Sequence, residues 1–75
     1  MALVSAITHK PLQAISKHTE VECTYTVVDV EGEKQLQLDT YGSASRDIPG
    51  KKSQSLRLNS QAIQQLKEII KENGL

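Results

Sequence analysis

The chain has 75 residues, two of them tyrosine and none phenylalanine or tryptophan, so it has room for one small domain whose thin core is built from Leu, Ile, Val and Ala. Nine basic and nine acidic residues cancel, which weighs against a uniformly basic nucleic-acid binder but not against a polarised one. The single cysteine, Cys23, excludes an internal disulfide, and with it the usual staple of a secreted domain this small, so a cytoplasmic location is expected.

Residues 1–11 read as a lead-in segment that Pro11 ends. Leu3, Val4 and Ile7 have no clean period, and the apolar run is too short and lacks the cationic flank of an export signal. No run approaches the length of a bilayer span, so no membrane partner is expected. Residues 12–75 read as a single β-β-β-β-α domain, with a weak first strand over Leu12 to His18. The second strand, Glu20 to Val30, is stronger. Val21, Cys23, Tyr25 and Val27 alternate with Glu22, Thr24 and Thr26, the period of a half-buried strand. Val28 and Val30 break that alternation and predict a bulge, or burial on both faces, before the turn.

Glu31-Gly32 supplies a hairpin turn. Lys34 to Tyr41 returns, with Leu36 and Leu38 on one face and Gln35, Gln37, Asp39 and Tyr41 on the other. Residues 42–50 form a loop of small residues with Pro49 and two glycines. Ser53 to Leu58 is the last strand, Leu56 and Leu58 inward and Arg57 outward. Asn59, or Ser60 one residue later, caps a helix whose Ala62, Ile63, Leu66, Ile69 and Ile70 recur at helical spacing. Gln64, Gln65, Lys67, Glu68 and Lys71 cover its other side, and Gly74 suits the residue after its end. The fold class is therefore α+β: an antiparallel sheet of three or four strands followed by one C-terminal helix. The helix is expected across the leucine face, leaving a polar, hydrogen-bond-rich face open.

The charges are not evenly spread. Arg46, Lys51, Lys52 and Arg57 face a single acid, Asp47, across residues 46–57, whereas Glu20, Glu22, Asp29, Glu31 and Glu33 gather earlier. Cations beside a polar sheet face suit a phosphate backbone, and Tyr41 suits stacking on a base. A solvated loop and an aromatic covering the sheet edge are the plainer reading of the same residues. Gly50-Lys51-Lys52-Ser53 has the tail of a phosphate-binding loop, but Ser45 stands where its first glycine belongs and a strand follows instead of a helix. His9, His18 and Cys23 match no metal-ligand spacing, Cys23 falls in the apolar alternation of its strand and reads as a buried small hydrophobe, and no nucleophile elbow is present. The expectation is a protein without enzymatic activity and without a cofactor.

Several short stretches share their order with a known family. They are Leu36-Gln37-Leu38-Asp39-Thr40-Tyr41, Pro49-Gly50-Lys51-Lys52, Leu56-Arg57-Leu58-Asn59, Gln65-Leu66-Lys67-Glu68-Ile69-Ile70 and the hairpin Val28-Asp29-Val30-Glu31-Gly32-Glu33-Lys34. Together, over residues 12–72, the chain resembles the PC4 family of transcriptional coactivators, which bind single-stranded DNA. The resemblance implies a curved four-stranded antiparallel sheet with one helix, a homodimer, and a role for Tyr41, Lys51 and Lys52 in binding. Arg46 and Arg57 join them from the charge cluster and the face assignment. The chain departs from the family's pattern at Asp39, near a usual arginine, at Gly42, where an aromatic often follows, and in the spacing of the Pro-Gly-Lys-Lys segment. The reading is thus a homodimeric module that binds single-stranded DNA or locally melted duplex, in transcription or DNA metabolism, with Ile70 helping the dimer to form. The rival is a small protein-interaction module, a regulator or inhibitor, that docks through the polar face or a strand edge.

Overall fold

The computed structural model describes residues 1–42 and 52–75. They form a four-stranded sheet followed by one helix: β1 (Ala2–Val4), β2 (Cys23–Val30), β3 (Glu33–Tyr41), β4 (Lys52–Leu58) and α1 (Ser60–Glu72). The order across the sheet is β1-β4-β3-β2. β2, β3 and β4 are antiparallel to their neighbours, and β1 runs parallel to β4 at the edge. The sheet is therefore mixed, where a wholly antiparallel one was expected.

The fourth strand also comes from an unexpected place. It lies within the segment read as a lead-in, and residues 12–18 form no strand. Leu12 and Ile15 are three apart, so they cannot share a strand face, and both are exposed. Residues 1–4 supply a short apolar run instead, paired Ala2 to Leu56 and Val4 to Leu58. Beyond β1, the Ile7 amide donates to Gln65 Oε1 at 2.8 Å and the Asn59 amide to Val4 O at 3.1 Å. Gln65, assigned to the outer side of the helix by its polarity, is thus spent on holding the N-terminal segment.

The β2–β3 hairpin is unbroken from the Cys23–Thr40 pair to the Val30–Glu33 pair, so β2 carries no bulge. Its turn residues Glu31 and Gly32 have φ of 53° and 84°, the two successive left-handed positions of a tight primed turn. Asp29 interrupts the valines because its Oδ1 accepts from the Gly32 amide at 3.0 Å. The bulge sits instead in the β3–β4 ladder, between Thr40 and Tyr41.

α1 begins as its cap residue requires. Asn59 Oδ1 accepts from the Ala62 amide at 2.9 Å. It ends in a Schellman motif, with the Leu75 amide on Ile70 O, the Gly74 amide on Lys71 O and Gly74 at φ 65°. The helix packs on β3 and β4. Leu58, 4% exposed, and Ala62, fully buried, are the buried apolar residues among those described. Ile63, Leu66 and Ile69 are half-buried, and Ile70 is exposed; Cys23, expected to be buried, is exposed on the edge strand β2.

Candidate nucleic-acid interface on the polar sheet face

The strand register sorts side chains into two faces, because paired residues point the same way. One face carries Thr24, Thr26, Val28 and Val30 from β2, then Glu33, Gln35, Gln37 and Asp39 from β3, then Ser55 and Arg57 from β4. The other carries Cys23, Tyr25 and Val27, then Leu36 and Leu38, then Leu56 and Leu58, with Ala2 and Val4 beyond. The first face is the polar one expected from the alternation.

Its side chains form a connected rail along β3 and β4. Arg57 donates from Nε and Nη2 to Gln37 Oε1, at 3.2 and 2.7 Å. Gln37 in turn donates from Nε2 to both carboxylate oxygens of Asp39, at 3.1 and 3.2 Å. Ser55 Oγ donates to Asp39 Oδ1 at 2.6 Å, and Lys52 Nζ lies 3.5 Å from Asp39 Oδ2. The Gln37 amide has one sensible orientation between a cation and an anion: oxygen to the guanidinium, nitrogen to the carboxylate. At the hairpin end, Glu33 accepts from Gln35 Nε2 at 2.7 Å and from Ser60 Oγ at 2.6 Å.

These bonds allow polar side chains to be buried. Gln35, Gln37 and Asp39 are all buried, Asp39 to 3% exposure, and among the described residues no buried side-chain polar atom lacks a partner. The Ser55 hydroxyl, helped by the Gln37 amide and Lys52, holds the Asp39 carboxyl below the usual carboxylate range against the opposing effect of desolvation. Ser60 and then Gln35 do the same for Glu33. Both acids therefore stay ionised at neutral pH.

Three of the residues picked out in the sequence meet this face. Tyr41 and Lys52 are opposite each other in the register, and the Tyr41 hydroxyl lies 2.9 Å from Thr24 Oγ1. Arg57 stands farther along β4, beyond Ser55. Arg46 and Lys51 lie outside the described residues. Lys52 is 56% exposed beside its acid, a pairing that water screens and a phosphate can displace. Arg57 is different: a neutral amide orients its guanidinium without cancelling its charge. Sequence reasoning missed the rail itself, Gln37, Asp39 and Ser55. Its signal is the alternation Gln-x-Gln-x-Asp set against Ser-x-Arg, which becomes legible only once the register is known.

Among the described residues no three His, Cys, Asp or Glu side chains converge as metal ligands, and no helix is long and apolar enough to cross a membrane. Comparison with known protein families, with curated proteins and with solved structures gives no match to this chain.

Proposed function

We propose that the polar sheet face binds single-stranded nucleic acid, DNA or a locally melted duplex, with little sequence preference, in a cytoplasmic homodimer without enzymatic activity. The observation that carries this reading is the rail itself. It holds a guanidinium and an ammonium on one sheet face, where the Tyr41 phenol stands opposite Lys52 beside the exposed Thr24 and Thr26. Lys52 and Arg57 meet phosphates, joined by Lys51 and Arg46 from the adjoining segment, and Tyr41 offers a ring for stacking. The face is nearly neutral, since Asp39 and Glu33 offset Lys52 and Arg57, so affinity rests on hydrogen bonding and stacking as much as on charge.

A second reading has its own observation. Among the described residues β2 is an edge strand with no strand on its outer side, and such an edge suits docking of a protein segment by strand addition. Salt dependence separates the two. Fluorescence anisotropy with a labelled single-stranded oligonucleotide is expected to show binding that weakens linearly on a log–log salt plot. The Lys51→Glu/Lys52→Glu variant is expected to lower that slope by about 1 per lysine. Absence of binding at low salt, or an unchanged slope in the variant, overturns the nucleic-acid reading.

A further inference from the structure

We propose that β2 is the docking strand for a second copy of this chain, pairing antiparallel with its own counterpart about a two-fold axis at Thr26. This deepens the homodimeric part of the proposed function and rests on that part, not on nucleic-acid binding.

The backbone parity of β2 follows from one bond. The Tyr41 amide donates to Glu22 O at 3.1 Å, so Glu22 and Tyr41 are a hydrogen-bonded pair. In an antiparallel ladder such pairs alternate. With the observed register, Thr24, Thr26 and Val28 turn their N–H and C=O groups toward β3. Cys23, Tyr25, Val27 and Asp29 turn theirs outward, to the open edge. Natural edges are guarded by charges, prolines or bulges. From Cys23 to Val28 this one has no charged residue and no proline, and its ladder is regular. α1 sits on β3 and β4, and among the described residues no strand pairs with the outer side of β2.

The exposed surface also exceeds that of a compact chain of this mass. The accessible area is 6570 Å², against about 4,600 Å² for a folded monomer of this mass. The radius of gyration is 14.7 Å, against about 11 Å for a compact chain of this length. The excess of roughly 2,000 Å² over that compact value is shared by the exposed residues 8–22 and the uncovered side of β2, so covering β2 removes part of it. Tyr25 and Val27, 72% and 60% exposed, are the apolar side chains that this edge carries.

A second copy is the occupant because the strand complements itself. With Thr26 on the axis, residues whose numbers sum to 52 are opposed. The outward residues then pair with outward residues, as the hydrogen bonds require. Tyr25 meets the partner's Val27, twice by symmetry, and Thr24 meets the partner's Val28. Glu22 meets the partner's Val30, and Asp29 the partner's Cys23, so no like charges oppose. The lone exposed Ile70 of α1 offers no such pattern. The result is one eight-stranded sheet on which the two polar faces lie side by side.

The test uses the full chain. Sedimentation equilibrium is expected to give twice the 8.3 kDa chain mass, and Tyr25→Lys/Val27→Lys is expected to give the monomer with unchanged circular dichroism. In a Cys23→Ser background, Thr26→Cys is expected to form a covalent dimer on mild oxidation, because axis-related residues at a non-hydrogen-bonded site stand about 4.5 Å apart. Thr24→Cys, whose counterpart is the partner's Val28, is expected not to. A monomeric wild type at about 100 μM, far above the Kd of an obligate dimer, overturns the proposal, as does a dimer that crosslinks through position 24 and not 26. The crosslink decides even if the double-lysine variant fails to fold. A dimer that ignores the oligonucleotide removes the nucleic-acid reading and leaves this one standing, and a monomer that binds it does the reverse.

Discussion

On one face of β3 every second side chain, Gln35, Gln37 and Asp39, is buried although all are polar. On the other, Leu36 and Leu38 are only half-buried although both are apolar. The difference lies in what each face asks of its surroundings. A hydrogen bond needs one well-placed atom, and cross-strand neighbours such as Ser55 and Arg57 supply it within the sheet. Apolar area needs a layer on top. The helix packs against β3 and β4, and Tyr25, Val27 and part of Leu56 stay in water. A shallow depression of about 640 Å³ between Met1, Ala2, Cys23, Leu38 and Leu56 marks where cover is missing.

The largest expected effect is on the apolar side. Leu58 is the buried leucine of its face, and Leu58→Ala is expected to destabilise the fold by about 2–5 kcal/mol. For a domain whose whole stability is of the order of 5 kcal/mol, urea denaturation at fixed protein concentration is expected to lose its cooperative transition. If the variant keeps a sharp transition near the wild-type midpoint, the apolar side is held by something other than the contact between helix and sheet. Gln37→Leu comes next. It keeps bulk but removes the group that bridges Arg57 and Asp39, at an expected cost of about 1–3 kcal/mol. It is also expected to weaken oligonucleotide binding, since the guanidinium loses its orientation. A neutral or stabilising result means that the polar rail holds its geometry without contributing net stability.

Acid separates the faces without a large structural change. Asp39 and Glu33 both have lowered pKa values in the fold, so the unfolded chain binds protons more readily. Their contribution is complete above the unfolded carboxylate range and is lost as pH falls through the folded values. Wild type is therefore expected to lose stability progressively as the pH falls below the ordinary carboxylate range. Asp39→Asn is expected to be less stable than wild type at neutral pH, with the gap closing as the solution is acidified. Chemical denaturation at several pH values checks this. A gap independent of pH means that the Asp39 charge takes no part.

Much of this arrangement is legible in the sequence. The alternation over Val21 to Val27, the Leu36/Leu38 and Leu56/Leu58 pairs and the Asn59 cap place three strands and the helix within a few residues, because period and capping are local. What was not legible is non-local. β1 is three residues long, too short to have a period, and only its parallel pairing with β4 makes it a strand. Asp39 illustrates the same limit. In sequence it stands out as an acid where a basic neighbour is wanted. In the fold it anchors Ser55, Gln37 and Lys52, which no count of residue types reveals.

The smallest expected effect belongs to the turn, which serves neither face. Glu31 holds φ 53°, a left-handed conformation that costs a residue with a Cβ and that asparagine tolerates better. Glu31→Asn, ahead of Gly32, is expected to stabilise by about 0.5–1 kcal/mol, with the Asp29–Gly32 bond undisturbed. Its use lies in the double variant with Gln37→Leu. Distant independent sites add to within about 0.5 kcal/mol. Additive urea midpoints would mean that the hairpin end and the rail are separate units. A larger discrepancy would mean that they are coupled, and the route is at hand: Glu33 directly follows the turn and is bonded both to Gln35 and, through Ser60, to the start of the helix. In that case the polar face is one continuous network from the turn to Lys52, and loosening either end loosens the whole of it.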